Sequence, residues 1–195
     1  MTYLNKKTIR MLELLDDMFY NCKDCGLWVN GTCKPYWNDK KLPTMAIIGE
    51  APGEEEVNNE PFVGRAGKNL WNIMYKLGFR KEQFLIINSV NCRPVENNKN
   101  GKPTYEQRDE CFQWINKYLK VVMPKKILVL GNLAMSSVTG DPPSGIISIN
   151  GMVSDNKCIG APQVFSVHPS TCIYKGSEGK KMLTWGISKF KELGL

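Results

Sequence analysis

The chain of 195 residues has one histidine, His168, and no apolar run approaching the roughly 20 residues that a membrane-spanning helix needs. Its opening stretch, "MTYLNKKTIRMLELLDDMF", is amphipathic and lacks the charged start and apolar centre of a secretory leader. A cytoplasmic location with reduced thiols and no membrane contact is therefore expected. A second C-x2-C pair is missing, which argues against a zinc ribbon. The one pair present, Cys22 and Cys25, precedes every predicted strand, unlike a thioredoxin-type dithiol. The glycine turn in "GEAPGEEE" (49–56) lacks the Gly-Lys-Ser/Thr ending of a phosphate cradle. No repeat, linker or low-complexity stretch divides the sequence, so a single domain over residues 1–195 is expected.

What is present is a basic chain, net charge +7 with a pI near 9.0, which favours polyanionic partners. Leu4, Met11, Leu12, Leu15, Met18 and Phe19 recur at helical spacing over residues 4–20. Four short apolar runs, "MAIIG", "FLIINSV", "KILVLG" and "QVFSV", read as strands, with weaker strand signals near 146–149 and 152–153. "AGKNLWNIMYKLG" reads as a helix ended by glycine, and "TYEQ" (104–107) as the capping box of a helix to about Val122. "VENNKNGKP" reads as a polar loop, and a last helix is expected from about Gly179 to Leu193. Strands alternating with helices predict a three-layer α/β/α domain around a central four-stranded, mostly parallel sheet. Glu50, Asn88, Gly131 and His168 then fall at the C-terminal ends of strands, where open α/β sheets form their ligand crevice.

Cys22, Cys25, Cys92 and Cys111 are compatible with an iron–sulfur cluster, which needs four thiolates converging in space; buried, unrelated thiols are the alternative. Cys33 is a possible fifth participant, and Cys158 and Cys172 read as packing residues.

The motifs "GEAPGEEE…PFVGRAGKNL", "INSVNCRP" and "VHPS", in that order, resemble the family 4 uracil-DNA glycosylases, which carry a 4Fe–4S cluster. The resemblance runs from Cys22 past His168 and implies a repair enzyme that flips uracil out of DNA and hydrolyses its N-glycosidic bond. It implies Cys22, Cys25, Cys92 and Cys111 as cluster ligands, with Cys33 outside the pattern. It also implies Glu50 and His168 as catalytic residues, and Gly49, Ala51, Gly53, Phe62, Asn88 and Ile173 as substrate-binding residues.

The chemistry fits those residue types. Breaking the C–N bond builds positive charge on the sugar and negative charge on the departing base. A Glu50 carboxylate can orient water and offset the first; an imidazole N–H of His168 can hold the second on uracil O2. Phe62 can stack on the flipped ring, and the Asn88 amide can match uracil O4 and N3–H. Backbone N–H groups of Gly53 and of the Gly64–Gly67 turn are candidates for close contacts, and Glu54, Glu55 and Glu56 read as acids in a first helical turn. Arg65, Lys68, Arg93, Lys99, Lys102 and Lys175 are candidate phosphate contacts.

Two stretches depart from the family pattern. "EEEVNNE" is one residue shorter than usual, and "TCIYK" after "HPS" lacks the arginine used to wedge into the duplex. DNA containing uracil, single- or double-stranded, is the expected partner of a monomer, with a preference for single-stranded or mispaired uracil. A noncatalytic DNA-binding relative, a polymerase- or replication-associated module that keeps fold and cluster, is the alternative, and a replication or repair protein is a further candidate partner.

Overall fold

The runs "MAIIG", "FLIIN", "ILVL" and "QVFS" are buried from end to end, as strands covered on both faces must be. The structure, a computed structural model, describes residues 3–142, 145–155 and 160–194. In chain order the elements are α1 (Tyr3–Tyr20), β1 (Met45–Gly49), α2 (Arg65–Lys76), β2 (Phe84–Asn88), β3 (Val95–Glu96), β4 (Lys99–Asn100) and α3 (Tyr105–Val122). Then follow β5 (Ile127–Leu130), α4 (Asn132–Thr139), β6 (Val153–Ser154), β7 (Gln163–Ser166), α5 (Thr171–Tyr174) and α6 (Gly176–Glu192).

The main sheet has the order β2-β1-β5-β7-β6. Its first four strands pair in parallel, as the alternation of strands and helices predicts, and β6 adds a short antiparallel edge. Helices α2 and α6 pack on one another, as do α1 with α3 and α3 with α4, giving helical layers around the sheet. The chain leaves β1 in one direction to β2 and returns on the other side to β5. The strand order therefore reverses between β1 and β5, and a crevice opens there at the C-terminal strand ends.

The other edge strand, β2, is covered rather than bare. Tyr36 and Ile86 exchange backbone hydrogen bonds of 2.9 Å, Cys33 N–H donates to Asn91 (2.8 Å), and Arg93 N–H donates to Gly31 (2.9 Å). This brings the cysteine-rich loop alongside the segment that follows β2.

A buried carboxylate fastens the N-terminal helix. Asp16, 7% exposed, accepts from Trp37 Nε1 (3.1 Å) and Tyr118 Oη (2.5 Å), and pairs with Lys34 Nζ (2.6 Å). Because its charge is paired and hydrogen-bonded, its burial is tolerated.

The helix over 4–20 is present, but its inner face is Leu12, Leu15, Asp16 and Phe19; Met11 and Met18 are exposed. Thr104 accepts from Gln107 N–H (3.2 Å) while Gln107 Oε1 accepts from Thr104 N–H (2.9 Å), the capping box expected from "TYEQ". "VENNKN" is no loop: Asn97 and Asn98 take left-handed φ of 50° and 60° and close the β3–β4 hairpin. Residues 146–151 form turns, not a strand, and the final helix starts at Gly176 after the single turn of α5. Cys172 packs against the core, as expected, and Cys158 lies outside the described residues.

Candidate active site

The crevice at the strand-order reversal is a cavity of about 720 Å³. Glu50, Ala51, Gly53, Phe62, Asn88, His168 and Ile173 all line it, although they come from five separate stretches of chain. Gly49 does not line it, and its contribution is space. A Cβ there would collide with Asn88 Oδ1 and stand 2.8 Å from Phe62 Cζ, so only glycine lets the amide and the ring close over the end of β1.

Glu50 sits where β1 ends, facing the start of α4. Its Oε1 accepts from Leu133 N–H at 3.1 Å, and Gly131 (φ 98°) passes so close that a Cβ would lie 2.6 Å from the carboxyl carbon. Oε2 has no hydrogen-bond partner among the described residues and faces the cavity side of the site unengaged.

Asn88 is 3% exposed, yet no described residue hydrogen-bonds its side-chain amide. Asn91 satisfies the backbone instead: its Oδ1 accepts from Asn88 N–H and its Nδ2 donates to the Asn88 carbonyl, both at 3.0 Å. The Asn88 amide thus keeps a donor and an acceptor for a ligand.

His168 Nδ1 accepts from Ser170 N–H (3.3 Å) and lies 2.8 Å from Ser170 Oγ. A ring nitrogen that accepts a backbone N–H carries no proton, so the neutral ring carries its proton on Nε2, the atom left without a protein partner among the described residues. Burial holds the imidazole pKa below its ordinary value, against the opposing pull of Glu50 and Glu56, and favours that neutral form.

Phe62 adopts a left-handed backbone (φ 60°) and places its ring 6.1 Å from the His168 ring centroid, tilted by 37°. The residue that holds it there is Glu56. One carboxylate oxygen accepts from Phe62 N–H (2.7 Å) and the other from Gly53 N–H (2.8 Å). The three acids form one turn of 3-10 helix, in keeping with the expected helical turn, and Glu56 in addition clamps the loop at both ends. The Gly53 contact has the three-residue spacing of a capping box, but the contact to Phe62 N–H, six residues on, leaves no sequence pattern. Gly64, Arg65 and Ala66 line the cavity, whereas Gly67 packs inward, where a Cβ would overlap the Phe62 carbonyl.

Ile173 lies on α5 at the cavity wall, next to Tyr174, which is 83% exposed. Of the candidate phosphate contacts, Arg93 is engaged with Asn100 Oδ1 (2.8 Å) and Glu54 Oε2 (3.3 Å), and Lys175 with Glu178 (3.6 Å). Arg65, Lys68, Lys99 and Lys102 have no ion-pair partner among the described residues.

The cysteines gather on the far side of β2. Cys25 is within hydrogen-bonding reach of both Cys92 and Cys111, which pushes its thiol pKa down and theirs up. Cys22 accepts from Trp114 Nε1 (3.4 Å), Cys92 lies 3.3 Å from Thr32 Oγ1, and Cys111 meets the Asn91 backbone. Among the described residues no group of three or more His, Cys, Asp or Glu is arranged to hold a single metal ion. Cys33 is buried apart from the four, its Sγ directed at the Asn59 carbonyl (3.6 Å).

The sequence is similar to those of several known proteins. A type-4 uracil-DNA glycosylase of Thermotoga maritima is 29% identical over 184 residues, covering 93% of each chain. One of Sulfurisphaera tokodaii is 29% identical over 194 residues, covering 94% of this chain and 85% of the relative. One of Archaeoglobus fulgidus is 34% identical over 127 residues, covering 63% of this chain and 62% of the relative. The family description that matches covers residues 37–187, from the cysteine-rich loop into α6, and this chain belongs to the uracil DNA glycosylase superfamily.

Proposed function

We propose that the protein is a DNA-repair glycosylase that takes uracil out of the DNA stack and hydrolyses its N-glycosidic bond, leaving an abasic site. The observation that carries this is the convergence of three unengaged groups, Glu50 Oε2, the Asn88 amide and His168 Nε2, beside the Phe62 ring in one cavity. In the reaction the C1′–N1 bond breaks and its electron pair leaves with uracil. His168 Nε2–H steadies the charge on uracil O2 and Asn88 holds the Watson–Crick edge. Glu50 orients water toward C1′ and accepts its proton as the C1′–O bond forms; uracil N1 is protonated by solvent.

Cys22, Cys25, Cys92 and Cys111 fit a 4Fe–4S cluster by donor chemistry: free thiols, with Cys25 in reach of both Cys92 and Cys111, and with Trp114, Thr32 and the Asn91 backbone supplying hydrogen bonds of the kind that surround cluster thiolates. When bound, such a cluster supplies a redox-capable iron–sulfur core; no step above passes through it. The thiols need reducing surroundings, which suits a monomer acting on DNA in the cytoplasm. Among the described residues no helix is long and apolar enough to cross a membrane.

The test is an oligonucleotide bearing one uracil, treated with protein and then alkali. Strand scission by the wild type is expected, falling about 100-fold or more in Glu50→Gln and His168→Asn. Glu50→Gln keeps an oxygen for Leu133 N–H, so its melting temperature should stay near wild type. Absence of scission by protein loaded with iron and sulfide would favour the noncatalytic DNA-binding relative instead.

A further inference from the structure

Part of the cavity wall comes from the segment leaving the β3–β4 hairpin, where Asn100, Gly101 and Lys102 stand beside Gly53 and Glu54. The hairpin is built for stiffness. Its turn has two left-handed asparagines, its strands pair Val95 with Asn100 and Glu96 with Lys99, and Gly101 N–H closes the base on the Pro94 carbonyl (2.9 Å). All six of its residues are exposed, so it adds no side chain to the core. Arg93 ties it down: this side chain, only 14% exposed, donates Nε to Asn100 and Nη2 to Glu54, on the turn that follows the catalytic-site strand. The Arg93 charge is thus engaged internally, whereas Lys99 and Lys102 keep exposed ammonium groups without an ion-pair partner among the described residues.

A fastened ribbon that buries no apolar surface is not explained by stability. Lys102 lines the pocket and Lys99 stands on the adjoining hairpin strand, and these two cations are matched in charge by the phosphates on either side of a nucleotide held there. We propose that the β3–β4 hairpin is a nucleic-acid arm: Lys99 and Lys102 neutralise backbone phosphates flanking the extruded nucleotide, and Arg93 is a positioning residue that fixes the arm against Glu54. The inference rests on the glycosylase reading above and adds to it a strand-holding element outside the base pocket.

The experiment measures binding of a uracil-free single-stranded oligonucleotide by fluorescence anisotropy across salt concentrations. Replacing Lys99 and Lys102 together by serine should make the slope of log K against log salt shallower by about 1.4, the share of two single-strand phosphates. Lys40→Ser with Lys41→Ser removes the same charge from the loop entering β1, at the opposite end of the sheet, and should leave the slope unchanged. Arg93→Gln should weaken binding in the wild-type background and have no further effect once both lysines are gone. An unchanged slope in the first variant, or an equal loss in the second, overturns the arm. A fully additive Arg93 effect makes Arg93 itself a phosphate contact and overturns its positioning role. These slopes are read without base excision, so a wild type that leaves uracil in place would sink the glycosylase reading while still deciding the arm.

Discussion

At the scale of single residues, Glu56 gives both oxygens of one carboxylate to backbone N–H groups nine residues apart. Glu56→Ala leaves both donors unpaired. It should cost about 3–6 kcal/mol in a denaturant melt, since two charge-assisted hydrogen bonds are lost and each is worth roughly 1.5–3 kcal/mol. It should also depress excision through release of Phe62, and stability within 0.5 kcal/mol of wild type would refute the clamp. Gly49→Ala acts differently, by displacing Asn88 and Phe62. An ångström of misplacement costs on the order of 100-fold in rate, so single-turnover excision is the measurement, with wild-type rates as the contrary result. His168 gives a pH signature. Burial lowers its pKa in the folded chain, so the unfolded chain takes up the proton first as pH falls through the ordinary value of about 6.5. Its contribution to stability is complete above that pH and is lost below it. As it is the single histidine, His168→Asn should flatten the decline in melting temperature between pH 7 and 5.5, and a parallel decline in the variant would contradict the assignment.

At the scale of elements, legibility followed burial and length. Strands covered on both faces leave continuous apolar runs, and a capping box writes its partners three residues apart, so β1, β2, β5, β7 and the start of α3 could be read from the sequence. The crevice positions of Glu50, Asn88 and His168 were legible because they fall at strand ends; the roles proposed for them came from the family resemblance. The hairpin was not: strands of two exposed residues carry no alternation, and two left-handed asparagines look like any polar loop. The hold of Glu56 on Phe62 was equally hidden, since it depends on the positive φ of Phe62 and on a backbone donor. Even the outer face of α1 misled, because Met11 and Met18 are apolar yet face solvent while Asp16 faces inward. The capping box itself is testable: Thr104→Ala should destabilise by about 1 kcal/mol in chemical denaturation, and no change would show that tertiary packing alone holds the start of α3.

At the scale of the whole molecule, the four cysteines join the loop after α1, the segment after β2 and helix α3. Cys111→Ser should abolish visible iron–sulfur absorption, whereas Cys33→Ala, which removes the buried thiol outside the set, should keep it; loss of colour in both would break the ligand assignment.

The Asp16 network spans some of the same parts by another route. Through Trp37, Lys34 and Tyr118 it binds α1 to the cysteine-rich loop and to α3 without any sulfur. Helix α1 is therefore moored to the loop and to α3 by contacts that do not depend on the state of the thiols.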